Sequence, residues 1–189
     1  AVLEVNASMG LIVAAPTAGS AGVVPGVLLA MQECYRVSDE RLVDALFNAG
    51  AVGYLAMRNA TVAGAGGGCQ AEGGVAAAMA ASAAVELMGG TPEQCLDAAS
   101  AVLMNMLGLV CDPVGGLVEY PCQSRNAAGA ANALVAAQLA LCGVGQKIPF
   151  DEMLDAMSAV GRTMPPELRE TGLGGCAAAP SACGLCRGC

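Results

Sequence analysis

A chain whose residues are 56% hydrophobic but only 3% aromatic cannot build its core from large side chains. Alanine supplies much of the apolar content, and 26 glycines accompany it. Such a core forms by close approach of backbones, which favours tightly packed helices. No stretch shows the period-2 alternation of a half-buried strand, and no internal repeat is present. The expected class is all-α: a compact Ala/Gly-rich helical domain with Gly/Pro-rich loops. One domain is expected over residues 1–189, with a Cys-rich tail over 172–189.

Local signals place the helices. Asn6–Gly26 reads as a buried loop rich in Gly, Pro, Ser and Thr, with a helix following to about Cys34. Ser38 reads as an N-cap, with Asp39 and Glu40 in the first turn where the helix dipole favours anions. That helix runs towards Arg58. Thr61–Gly68 reads as a Gly-rich loop, and an Ala-rich helix is expected from Gln70 to Met88. Thr91-Pro92-Glu93-Gln94 is a helix start with Thr as N-cap, Pro in the first position and Gln at N3. This helix is expected to end near Gly108. Further helices are expected over Ser124–Leu141 and Phe150–Val160.

Charge and hydropathy narrow the partners. A net charge of −8, with only eight Lys and Arg, leaves no basic patch for nucleic acid. Mean hydropathy is high at +0.60. The longest weakly polar runs, Gly73–Gly90 and Ala127–Gly145, nevertheless contain Ser, Glu, Asn or Gln, unlike the 20 or so strongly apolar residues of a membrane span. Ala1–Ser20 lacks the charged start of a signal peptide. Ten cysteines without such a signal point to a reducing, cytoplasmic setting and to metal or catalytic use. Because Ala1 is not a natural start, the chain is expected to be a piece of a longer protein.

The chain has no histidine, which excludes most familiar metal sites and catalytic triads. Thiolate chemistry remains, and soft thiolates select iron–sulfur clusters, zinc or Cu(I). Cys69, Cys111 and Cys122 each lie in a Gly- or Pro-bearing segment: GGGCQAE, GLVCDPVGG and EYPCQSRN. Their spacing is no standard ligand pattern, and three buried core thiols are the plain alternative. As ligands of a [4Fe-4S] cluster, three cysteines leave one iron without a protein thiolate, free to act as a Lewis acid. Cys34, Cys95 and Cys142 fall in or at the ends of expected helices and read as core thiols.

The segments NASMGLIVAAPTAGSAGVVPG, GGGCQAEGGVAAAMAAS, MNMLGLVCDPVGGLVEYPCQSRNAAGAANA and MPPELRETGLGG resemble the catalytic α subunit, or α domain, of the iron–sulfur-dependent L-serine dehydratases (L-serine ammonia-lyases). The likeness runs from Val5 to Gly175. It implies a helical fold, a [4Fe-4S] cluster held by Cys69, Cys111 and Cys122, and conversion of L-serine to pyruvate and ammonia without pyridoxal phosphate. It also implies a β subunit or β domain as partner, a Ser- and His-bearing part absent from this chain, and allows for a homo-oligomer. Family α regions are longer on the N-terminal side, and the loop before Cys69 is richer in glycine than is usual.

Beside that resemblance, consecutive N–H groups of PTAGSAG, followed by a helix, form a candidate carboxylate cradle with Thr17, Gly19 and Ser20. The alternative is a tight turn where only Gly fits. Asn6 and Ser8 are expected beside it as neutral donors. Arg125 and Asn126 follow Cys122; Arg125 is read as a partner of the substrate carboxylate or of cluster sulfides, or as a surface charge. Ser20, Arg125 and Asn126 are the catalytic candidates. Asp112 and Glu119 read as solvated carboxylates. The tail cysteines Cys176, Cys183, Cys186 and Cys189 fit a zinc site, a second cluster, or a flexible tail; the simplest functional reading has Cys189 capping the open iron. Lys, Tyr, Glu, a thiolate, a metal-bound oxygen or a partner residue are the options for the base, with the partner preferred. Rival readings are a cysteine desulfidase, an electron-transfer or sensing iron–sulfur protein, and a zinc-stabilised scaffold.

Overall fold

The structure, a computed structural model, describes residues 1–184. Its helices are α1 (Val2–Ala7), α2 (Val23–Tyr35), α3 (Asp39–Asn59), α4 (Gly64–Gly67), α5 (Val75–Leu87), α6 (Pro92–Met106), α7 (Cys122–Leu141), α8 (Phe150–Thr163) and α9 (Pro180–Cys183). Among the described residues the one strand-like feature is a parallel bridge between Cys111 and Arg169. The all-α expectation holds. No helix among these residues is long and apolar enough to cross a membrane.

Helix α5 is the axis of the fold. Every residue from Val75 to Leu87 is buried except Glu86. It packs against α2, α3, α6 and α7, and those neighbours meet it with small residues. Helix α3 offers Ala45, Ala49, Val52, Gly53 and Ala56; α7 offers Gly129, Ala133, Ala136, Ala137 and Ala140. Both sets recur at three- and four-residue steps, the spacing of one helix face. A Cβ on Gly53 would lie 2.8 Å from the Met79 sulfur, so the two helices meet closely there and any added side chain would push Met79 aside. Helix α8 closes one end with Phe150, Met153, Leu154 and Met157.

The helix starts follow local chemistry. Ser38 accepts from the Arg41 N–H, and Thr91 with Gln94 completes a reciprocal capping box. Elsewhere the boundaries differ from expectation. The helix expected from Gln70 begins as a π-turn, Gln70–Gly74, and the loop expected at Thr61–Gly68 contains α4. The supposed buried loop Asn6–Gly26 is divided: Asn6 lies in α1, while Met9, Leu11 and Val13 are exposed. Cys95 is a core thiol, but Cys34 and Cys142 are exposed, because each sits at a helix end beyond the last core contact.

If close helix approach sets the core, Ala81→Leu in α5, fully buried, is expected to lower stability by about 1–3 kcal/mol. The exposed Val135→Ala should stay within about 0.5 kcal/mol. Chemical denaturation of both variants checks this.

Candidate functional site

Three chain segments bring Cys69, Cys111 and Cys122 together at one end of α5. Cys69 follows Gly68, whose φ of +74° is one that side-chain-bearing residues rarely adopt. A Cβ there would also strike the Met164 sulfur at 2.6 Å and the Leu109 carbonyl at 2.8 Å. The next residue, Gln70, is 1% exposed and works as a pin. Its side-chain amide donates to the Met157 carbonyl at 2.8 Å and accepts from the Gly108 N–H at 2.8 Å. Its backbone N–H donates to Leu109 at 2.9 Å. The strand of chain leading to Cys111 is thereby fastened to the turn that carries Cys69.

Cys111 is held from the other side by the PPELRE segment. Its N–H donates to Leu168 and its carbonyl accepts from Glu170. Cys122 opens α7 directly after Pro121. The cysteines are free thiols, Cys69 and Cys111 buried and Cys122 half-buried. Burial pushes all three thiols up, Cys122 to about 11. The charge of Cys69 raises both Cys111 and Cys122, as does that of Glu72. This coupling is a mark of their proximity.

Gly64 leaves room beside this group. A Cβ on it would lie 2.9 Å from the Cys111 Sγ, 3.1 Å from Glu72 Oε2 and 3.3 Å from Glu170 Oε2. Among the described residues no three His, Cys, Asp or Glu side chains are close enough to share one metal ion. A single tetrahedral zinc, with Zn–S near 2.3 Å, needs sulfurs only about 3.8 Å apart. A multi-iron cluster takes each thiolate on a different iron, and three thiols from three segments are donors of the kind such a group takes.

The PTAGSAG loop lies against the same place. Thr17 donates to Glu72 Oε1 at 2.5 Å, and the Thr17 and Ser20 hydroxyls are 3.0 Å apart. Ser20 is buried, 1% exposed, so its hydroxyl faces the loop. Among the described residues the N–H groups of Thr17, Ala18 and Ser20 find no backbone acceptor. Asn126 ties the loop to α7: its amide donates to Gly19 O at 2.8 Å and Cys122 O at 2.9 Å, and accepts from Gly22 N–H at 3.1 Å. Asn126 thus uses both of its donors on the protein.

Arg125 is equally committed. It donates to the Val110 carbonyl at 2.9 Å and to Asp112 Oδ1 at 2.5 Å. It also lowers the Cys69 thiol, against the larger upward effect of burial. Asp112 is no solvated carboxylate. It is 2% exposed, paired with Arg125, and its second oxygen accepts from the Cys176 N–H at 2.6 Å. Burial is possible because two donors satisfy it. Glu119, by contrast, follows the expected pattern and is exposed at the loop surface.

Of the residues expected here, the structure brings Thr17, Gly19, Ser20, Arg125 and Asn126 around the three cysteines. Asn6 and Ser8 lie on α1 and its end, where the Ser8 hydroxyl donates to Val5. No hydrogen bond among the described residues links them to the cysteines. Cys186 and Cys189 fall outside the described residues. Sequence reasoning missed Glu72, Gln70 and Glu170. The signal for Glu72 was its place as the lone acid in a glycine-rich segment, three residues after Cys69.

Residues 1–177 match the family described as serine dehydratase alpha chain. The chain is 58% identical over 178 residues to the probable L-serine dehydratase, alpha chain, of Bacillus subtilis, covering 94% of this chain and 59% of the relative. It is 55% identical over 174 residues to the L-serine dehydratase, alpha chain, of Peptoniphilus asaccharolyticus, covering 92% and 60%. The probable L-serine dehydratase, alpha chain, of Latilactobacillus sakei is 52% identical over 182 residues, covering 96% and 87%. The chain therefore spans about three-fifths of the length of the first two relatives.

Two outcomes follow from the geometry. Asp112→Ala strands the Arg125 charge and the Cys176 N–H, and is expected to destabilise the fold by about 3 kcal/mol, read by thermal unfolding. In metal-free chain, maleimide should modify the exposed Cys34, Cys142, Cys176 and Cys183 ahead of the three site thiols. A raised thiol pKa keeps the proton on at neutral pH, so labelling of Cys122 should continue to accelerate towards pH 11. Mass spectrometry across pH reads this, and rapid labelling of all three site thiols at pH 7 would contradict it.

Proposed function

The chain belongs to the serine dehydratase alpha chain family, and on that footing we propose that it is the catalytic α part of an L-serine ammonia-lyase. The reaction removes water from L-serine; the resulting aminoacrylate tautomerises to an imine and hydrolyses to pyruvate and ammonia. The observation that carries the reading is the convergence of three free thiols from three segments, in a chain more than half identical to proteins of that name.

Cys69, Cys111 and Cys122 are the residues that would hold a [4Fe-4S] cluster. When bound, such a cluster supplies a Lewis-acidic iron that eases departure of the β-hydroxyl. The remaining contributions belong to the protein. The loop N–H groups at Thr17, Ala18 and Ser20 are suited to the substrate carboxylate. Arg125 and Asn126 hold the loop and the cysteine segments in register and keep positive charge beside Cys69. Cys189 is assigned the role of covering the cluster before substrate arrives. The 3-10 turn at Gly175–Ala178, anchored on Asp112, starts the tail next to the site and supports that assignment. The α-proton base is assigned to a β subunit or β domain, since this chain has no histidine. A reducing, cytoplasmic setting suits a thiolate-held cluster.

Anaerobic loading of the complete enzyme with iron and sulfide tests the proposal. Four irons per chain, a spectrum that shifts with L-serine, and pyruvate formation are expected. Serine at any one of Cys69, Cys111 or Cys122 should lower iron content and turnover together, by at least about tenfold. Faster turnover of L-cysteine than of L-serine would favour a desulfidase instead. A loaded cluster whose spectrum ignores both amino acids, without pyruvate, would reject the lyase reading.

A further inference from the structure

Glu72 is a half-buried carboxylate placed between two parts of the site. One oxygen accepts from Thr17 Oγ1 at 2.5 Å, and the Gly19 N–H favours the same ionised group. The other oxygen faces the Gly64 opening beside Cys111 and Glu170. Fit is tight on the loop side, where a Cβ on Gly19 would fall 2.4 Å from Glu72 Oε1. Glu72 belongs to the π-turn, which also carries Gln70 and follows Cys69. π-Turns are local irregularities that often mark functional positions; here the irregular turn presents Gln70 to the core and Glu72 to the loop.

We propose that Glu72 is a positioning residue that registers the Thr17–Ser20 loop on the turn carrying Cys69, setting the distance between the candidate carboxylate cradle and the cysteine group. Ser20 extends the chain, with its hydroxyl 3.0 Å from Thr17. Asn126 restrains the same loop from α7, so loss of Glu72 loosens the loop without releasing it. Glu72 acts through Thr17 and Gly19, and a neutral amide oxygen in its place can accept the same hydrogen bond. The kinetic part of the idea rests on the lyase reading; the structural part does not.

The test compares Glu72→Ala and Glu72→Gln in the complete enzyme. Backbone hydrogen exchange is expected to quicken at least about tenfold across residues 15–22 in Glu72→Ala, while α5 stays protected. Iron per chain should be unchanged. KM for L-serine should rise at least about tenfold, with kcat altered less. Glu72→Gln should restore loop protection and KM to within about threefold of the parent. Unchanged exchange in Glu72→Ala overturns the proposal. So does a Glu72→Gln enzyme as impaired as the alanine variant, because Glu72 would then act through its charge. If the parent enzyme fails to turn over L-serine, the lyase reading falls, while exchange in the two variants still decides the role of Glu72.

Discussion

Everything in this chain depends on how closely helices can approach α5. A helix buried on every side must be met by small residues, and α3 and α7 meet it with alanine and glycine at three- and four-residue steps. Packing density then comes from backbone proximity, with little slack for added volume. The consequence reaches the site, because Cys69, Gln70 and Glu72 all stand in the turn that leads into α5. The most tightly held helix is also the one that presents the first cysteine and its two partners. Rigidity of the core thus becomes precision at the cysteine group.

Electrostatics works in the opposite direction. Three thiols and the Glu72 and Glu170 carboxylates share one end of the molecule; an ionised Cys69 raises Cys111 and Cys122, and an ionised Cys122 raises Cys111. Arg125 is the cation placed among them, and much of its hydrogen bonding goes to Asp112 and Val110. Burial keeps the proton on these thiols at neutral pH, so the fold brings them together as neutral groups.

What the sequence could reveal was whatever local chemistry decides. The Ser38 and Thr91 caps, the all-α class and the loop setting of Cys69, Cys111 and Cys122 were legible because each rests on a few neighbouring residues. The long-range facts were not. Asp112 reads as an ordinary loop acid until Arg125 and the Cys176 N–H arrive from distant segments. Cys34 and Cys142 look like core thiols by helix position, yet the helices to which they belong run past the core before they end. The burial of Gln70 depends on Met157 and Gly108, which no local pattern predicts.

Asn126 shows why polar residues beside a site deserve a second reading. From sequence, Asn126, one turn after Cys122, reads as a catalytic candidate. Its amide nitrogen closes on Gly19 and Cys122, and its oxygen takes the Gly22 N–H. One side chain thus joins the loop to the segment carrying Cys122, just as Glu72 joins it to the turn carrying Cys69. Two braces on opposite sides fix the loop relative to both cysteines. In the proposed reaction the substrate carboxylate then falls to the loop N–H groups themselves, whose positions cannot vary with side-chain rotamer. A cradle made of backbone is as exact as the braces that hold it, and that requirement accounts for an acid and an amide being spent on hydrogen bonds within the protein.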